Sequence, residues 1–237
     1  MLELLKNKRV MVVVAHPDDE LLGLGATMNR LIHSDTGIVT HVVILGEGIT
    51  SRAENRDPKL WEKQLEIHRS NIYAAQKHIG YHSVSIHDFP DNRFDSVDLL
   101  DLIKVVEREK KAFQPEVIFT HHGGDVNIDH QRTFEAVITA CRPMQEEHVK
   151  TIITFETPSG TEWRAPSDPR HFLPTIFCKV EQQHLEAKIN GMECYEFERK
   201  TYPHPRSPEA LKIQAQRWGV AIGADYAEAF QLIRFID

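Results

Sequence analysis

Val10-Met11-Val12-Val13-Val14-Ala15-His16-Pro17-Asp18-Asp19-Glu20 is the stretch that decides the fold. Its first five residues are apolar at every position and mostly β-branched, the pattern of a strand covered on both faces. The run stops at His-Pro-Asp-Asp-Glu, and a helical pattern follows at once, with Leu21, Leu24, Met28 and Leu31 spaced three and four apart. The apolar run is too short to cross a membrane. It also lacks the longer apolar region and small-residue cleavage site of a signal peptide. A cytoplasmic protein with no membrane insertion is expected.

Working outward, residues 39–45 read as a second buried strand, and Gly46-Glu47-Gly48 opens a polar loop to Lys59. Trp61, Leu65, His68, Ile72, Ala75 and Ile79 share one helical face, which places Trp61 in the core, and Gly80 is positioned to stop that helix. Residues 84–86 form a short strand candidate, Pro90-Asp91-Asn92-Arg93 a turn, and Leu99, Leu102, Ile103 and Val106 the next helix. Another apolar strand, 117–120, ends at His121-His122. A further helix starts near Asp129, with Phe134, Val137, Ile138 and Cys141 as its inner face.

This alternation implies right-handed βαβ crossovers and an α/β fold, a Rossmann-like parallel sheet flanked by helices, over residues 1–150. Beyond Lys150 the pattern is less regular. Strands are expected over 151–155, 175–180 and 230–235, helices over 181–189 and 208–218, and a Pro- and Gly-containing loop over 158–174. Residues 151–237 therefore read as a C-terminal α+β extension completing the substrate side of the same domain.

Composition narrows the function classes. A chain of 237 residues fits one domain with a full α/β core. A net charge of −7 opposes a general nucleic-acid binder, which needs a basic surface, yet leaves room for a basic pocket. Cys141, Cys178 and Cys194 form no C-x-x-C pair, so free thiols are expected. Gly23-x-Gly25 falls inside the helical pattern and no G-x-G-x-x-G follows the first strand, which argues against a dinucleotide. Oligomeric state is open, a homo-oligomer included.

Two motifs carry chemistry. In open α/β sheets ligands bind outside the carboxyl ends of strands, where His16-Pro17-Asp18-Asp19-Glu20 falls. His16 and Asp19 lie three apart around a turn opened by Pro17, and imidazole and carboxylate are both ordinary metal ligands. Against this, an acidic first turn with Asp18 as cap is routine at helix N-termini. The second motif, His121-His122-Gly123-Gly124-Asp125-Val126-Asn127-Ile128-Asp129-His130, follows the 117–120 strand. Capping by Asn127 or Asp129 accounts for part of it and leaves the histidines unexplained. Together the motifs offer two histidines and a carboxylate with open positions, a catalytic rather than a closed structural metal set.

A-H-P-D-D-E on the first strand–helix turn, with the distal His121-to-His130 cluster, resembles the PIG-L (LmbE-like) family of metal-dependent N-deacetylases. The Pro90-Asp91-Asn92 loop and the ending Arg206-Ser207-Pro208 … Arg217 … Ala227-Glu228-Ala229-Phe230 resemble members associated with surface-sugar biosynthesis. The resemblance implies His16, Asp19 and His130 as metal ligands and Asp18 as general base. It also implies zinc, with ferrous iron compatible with the same ligand set, and a small N-acetyl amino sugar as substrate, free or nucleotide- or lipid-linked. Zinc lowers the pKa of a coordinated water to about 7 from roughly 16, so hydroxide becomes available to attack an amide. Many relatives carry a histidine where Asn127 stands. Asn donates a hydrogen bond but cannot shuttle a proton, so Asn127 is a candidate oxyanion or substrate donor and Asp18 a single acid–base group. Asp129 is expected to orient His130 or Asn127, and His121, His122 and Asp125 to support. His204 is a possible replacement acid. Arg52, Asp91 and Arg206 are candidates to grip sugar hydroxyls or a phosphate. Two other readings remain, an amidase acting on a non-sugar N-acyl metabolite and a non-catalytic Rossmann-like binding module.

Overall fold

The computed structural model describes residues 1–54 and 56–237. After a short helix, α1 (Leu2–Leu5), the quoted stretch forms β1 (Arg9–Val14) and enters α2 (Asp19–His33). The chain continues through β2 (Val39–Gly46), α3 (Glu62–Ile79), β3 (Ser83–Phe89), α4 (Leu99–Phe113), β4 (Val117–His121), α5 (Ile128–Ala140) and β5 (Thr151–Phe155). It closes with β6 (Ile176–Val180), α6 (Gln182–Cys194), α7 (Pro208–Ala221) and β7 (Tyr226–Phe235).

The strands form one sheet in the order β3-β2-β1-β4-β5-β7-β6. The first five are parallel, β7 runs antiparallel to β5, and β6 antiparallel to β7. This is the Rossmann-like arrangement expected, with the C-terminal strands extending the same sheet. β1 shows why its sequence is apolar throughout. Val10, Val12 and Val14 enter one core with Leu21, Leu24 and Ile72, while Met11, Val13 and Ala15 enter the other with Val106 and Val137. Because β1 lies between β2 and β4, the chain's direction of travel across the sheet reverses there. That is the topological switch point where such sheets bind ligands.

Several expectations change. β3 runs on to Phe89 and is only half buried, as an edge strand with one sheet neighbour. Trp61 is half-buried at the N-cap of α3 and belongs to neither core, because that helix turns its buried face through His68, Ile72, Ala75 and Ile79. At α5 Val137 and Cys141 are buried and Ile138 packs on the same core as expected, but Phe134 instead covers Gly123, with Ala136 and Ala140 completing the buried face. β7 begins four residues before the expected strand, because its buried Glu228 breaks the apolar pattern.

Glu228 serves α2, which is interrupted at Leu24 (φ −149°, ψ 19°). Gly23 lies so close to β5 that a Cβ there would sit 2.2 Å from the Phe155 ring. The break frees backbone groups, and a buried ion pair satisfies them. Glu228 accepts the N–H groups of Ala26 and Thr27 at 3.3 and 2.7 Å. Lys188 donates to the Leu22 carbonyl at 2.8 Å and to Glu228 at 2.7 Å. The three cysteines are free, and no described helix is long and apolar enough to cross a membrane.

Candidate metal centre

The carboxyl ends of β1 and β4 bring the two motifs together. Ligand atoms of His16, Asp19 and His130, all buried, lie within 4.8 Å of one another. The free atoms face inward: Asp19 Oδ1 and His130 Nε2 are buried without a hydrogen-bond partner. His16 Nδ1 and His130 Nε2 lie 3.4 and 3.3 Å from Asp19 Oδ2. Orphaned buried donors and acceptors of this kind are expensive unless something fills the gap between them, and two imidazoles with a carboxylate suit a divalent cation.

The far nitrogen of each imidazole faces a carboxylate. His16 Nε2 is 2.8 Å from Asp129 Oδ2, and His130 Nδ1 is 3.2 Å from Asp125 Oδ1. Such carboxylates fix the ring orientation and raise ligand basicity. Asp129 therefore orients His16, not His130 or Asn127. Successive residues of a helix point about 100° apart, so Asp129 and His130 cannot serve one another at the start of α5. Asp125 backs His130 instead, while also accepting the Asn127 N–H and the Thr161 hydroxyl. A second grouping, His16, Asp91 and Asp129, shares His16 but would use the nitrogen already bonded to Asp129. Asp129→Asn and Asp125→Asn are each expected to weaken metal affinity by about 10–100-fold, measured by competition with a chelating dye. Unchanged affinity in both would discount the orienting role.

His121 is engaged within the protein beside the centre, its Nε2 3.4 Å from Asp19 Oδ2. Its Nε2 accepts the Ala15 N–H at 3.0 Å, its Nδ1 meets the Thr157 hydroxyl, and its ring stacks on His130 at 3.9 Å. Burial, reinforced by neighbouring His130, pushes it down to about 4, so it is neutral. His122 turns away to the Arg170 carbonyl.

Asp18 occupies the N-cap position of α2 at φ 105°, ψ −28°, a left-handed conformation that costs a non-glycine residue about 1–3 kcal/mol. Its side chain makes no cap, unlike the ordinary acidic first turn. Instead Oδ2 meets Arg206 Nη1 at 2.8 Å. Burial pushes the Asp18 carboxyl well above its usual range, with Arg206 pulling the other way. Arg206 is thus engaged within the protein while also lining the cleft, with Nε donating to Ser159. Glu198, which no local pattern marked, lies 3.6 Å from Arg206 and pairs with Arg52. Asp91 accepts the N–H and hydroxyl of Ser51, holding the loop that carries Arg52. Asn127 does cap α5, its Oδ1 accepting from Asp129 and His130, and its Nδ2 donates to Asn92.

These groups line a cleft of about 290 Å³ over the centre, together with Trp163, Lys200 and His204. Behind it His68 is buried with both ring nitrogens unpartnered, and burial, with Arg52 nearby, lowers it to about 4. It stays neutral in the fold but gains a proton near 6.5 when unfolded. Its contribution is complete above pH 6.5 and is lost as pH falls toward 4, by about 3 kcal/mol over that window. Urea midpoints of wild type and His68→Phe across pH 4–7 should show that slope reduced in the variant; parallel slopes would exclude His68 as the source.

Residues 11–141, more than half of the chain, match the PIG-L family, described as GlcNAc-PI de-N-acetylase. The chain belongs to this family. It is 27% identical over 193 residues to the uncharacterized deacetylase YaiS of Escherichia coli K12, covering 79% of this chain and 90% of that protein. Its fold is similar to that of N,N'-diacetylchitobiose deacetylase from Pyrococcus horikoshii (TM-score 0.71, 19% identity, 98% and 88% of the two chains). It is equally similar to 4-carboxy-2-hydroxymuconate hydratase from Pseudomonas putida KT2440 (TM-score 0.70, 21% identity, 97% and 98%). Membership of the PIG-L family makes the chain a deacetylase-family, metal-dependent enzyme. The hydratase likeness shows that the fold alone does not fix the reaction.

Proposed function

We propose that this enzyme hydrolyses the acetamide of an N-acetylated amino sugar or its conjugate, releasing acetate, with zinc held by His16, Asp19 and His130. The observation that carries the reading is the convergence of those three side chains beneath a polar cleft that also contains Asp18. At about 290 Å³ the cleft is at the small end of the roughly 300–1,000 Å³ usual for ligand pockets, sized for one sugar ring with its linked group outside.

A bound divalent cation supplies a water of lowered pKa and a Lewis acid for the amide carbonyl. Asp18 takes the proton from the attacking water and returns it to the departing amine nitrogen. Arg206 fixes the direction of the Asp18 carboxylate through the 2.8 Å ion pair. Asn127 Nδ2 lies at the cleft wall, where it donates to the acetyl oxygen or a sugar hydroxyl on exchange with Asn92. Arg52 and Asp91, with Glu198, His204 and Arg206 from residues 151–237, line the part of the cleft that receives the rest of the substrate. The reading takes the protein to be cytoplasmic.

Metal analysis of the purified protein, coupled to acetate release across N-acetyl sugars, sugar nucleotides and non-sugar N-acyl conjugates, tests this. Activity on a sugar, lost on chelation and restored by zinc or ferrous iron, is expected. Release confined to non-sugar conjugates would move the same centre to the amidase reading. No release of any acid by metal-replete protein would leave a binding module.

A further inference from the structure

Glu20 is buried beside Asp18, the proposed reaction gives it no role, and both of its oxygens accept hydrogen bonds. Oε2 accepts the Asp18 N–H at 3.0 Å, and Oε1 accepts the phenol O–H of Tyr195. Tyr195 is fully buried, follows the last residue of α6, and packs edge-on against His68. A chain of hydrogen bonds thus runs from the C-terminal part of the protein to the backbone of Asp18.

The arrangement inverts ordinary helix capping. An Asp at the N-cap normally lies in extended backbone and accepts an N–H of the first turn through its own carboxylate. In a capping box a Glu three residues later reaches back to the cap N–H. Here Glu20, two residues on, makes the reach-back bond while Asp18 makes no side-chain cap. The Asp18 carbonyl still accepts from Leu21 and Leu22, so α2 begins properly. With φ at 105° the Asp18 carboxylate leaves the helix end and enters the cleft beside Arg206. Left-handed backbone persists at a non-glycine residue only where its surroundings over-determine it, and Glu20 supplies the bond to its N–H.

We propose that Glu20 and Tyr195 are positioning residues that hold Asp18 in its left-handed turn, so that its carboxylate faces the cleft instead of capping α2. The proposal rests on the reading of Asp18 as the acid–base group. It is tested with Glu20→Ala, Glu20→Gln and Tyr195→Phe, with Asp18→Asn alongside. Gln keeps an oxygen able to accept the Asp18 N–H and guards against a variant that merely misfolds. In metal-free protein, hydrogen exchange at the Asp18 amide should quicken by at least about tenfold in Glu20→Ala and stay near wild type in Glu20→Gln. With zinc and N-acetylglucosamine, kcat in Glu20→Ala should fall by roughly 100-fold with KM little changed, the scale of an angstrom-level misplacement. Tyr195→Phe should fall between Glu20→Ala and wild type, and zinc affinity should hold throughout. Wild-type exchange at Asp18 in Glu20→Ala overturns the proposal, whether or not that sugar is turned over, as does loss of zinc affinity in step with activity. If Asp18→Asn is inactive and Glu20→Ala fully active, positioning alone fails; if Asp18→Asn is fully active, the acid–base reading fails.

Discussion

Asp18→Asn is expected to lower kcat by roughly 10²–10⁴-fold while the protein keeps its metal, the range lost when a positioned acid–base group is removed. The substitution isolates the proton. Asn has the shape of Asp, and its oxygen can still accept from Arg206, so the 2.8 Å contact and the left-handed turn can both survive. Asp18 lies outside the His16, Asp19 and His130 set, so the ligand atoms are unchanged. What disappears is the capacity to take a proton and give it back. Asn127 cannot take over, because an amide does not shuttle protons and its oxygen is already bonded to the Asp129 and His130 N–H groups. His204, the replacement acid suggested by the sequence, also lines the cleft, but its Nδ1 accepts the Arg206 N–H, which leaves only Nε2 to face a substrate. Steady-state kinetics beside metal analysis of the same preparation decide the matter. Substantial turnover by metal-replete Asp18→Asn would remove Asp18 from the reaction.

The parts of this arrangement legible in the sequence are those encoded over short distances. β1 could be read because a strand buried on both faces must be apolar at every position, and Val10 to Val14 are fully buried. The two motifs could be singled out because each abuts a strand end, whereas the choice of His130 over His121 and His122 rests on the resemblance to the PIG-L family. The rest depends on pairs far apart in the chain. Asp18 and Arg206 are separated by 188 residues, and nothing local marks Arg206 as the partner of a buried carboxylate rather than a surface cation. Glu198 was invisible for the same reason. Asp125 reads as a supporting residue from its place in the histidine cluster, and the rule that a ligating histidine leans on a carboxylate is enough to give it that role. Trp61 shows the opposite error, since helical spacing identifies a face but not how far along the helix the core extends.

The second large effect is on stability and lies away from the cleft. Glu228→Ala is expected to destabilise the fold by about 3–5 kcal/mol, the range for breaking a buried ion pair by removing one partner. The side chains of Lys188 and Glu228 are only 5% and 7% exposed, so the ammonium left behind would be both unpaired and dry. The same deletion orphans the Ala26 and Thr27 N–H groups, which α2 cannot satisfy because its ladder is interrupted at Leu24. Lys188→Met should be milder, since Glu228, although it and the Leu22 carbonyl both lose the ammonium, would keep both backbone N–H donors to its carboxylate. The double variant Lys188→Met/Glu228→Gln should recover part of the loss seen in Glu228→Ala, because no charge remains buried and the Gln oxygen can still accept a backbone N–H. Urea unfolding of the three variants with wild type measures these differences directly. Stability in Glu228→Ala within about 1 kcal/mol of wild type would mean that α2 closes its own gap, with the helix straightening at Leu24 once Glu228 is gone.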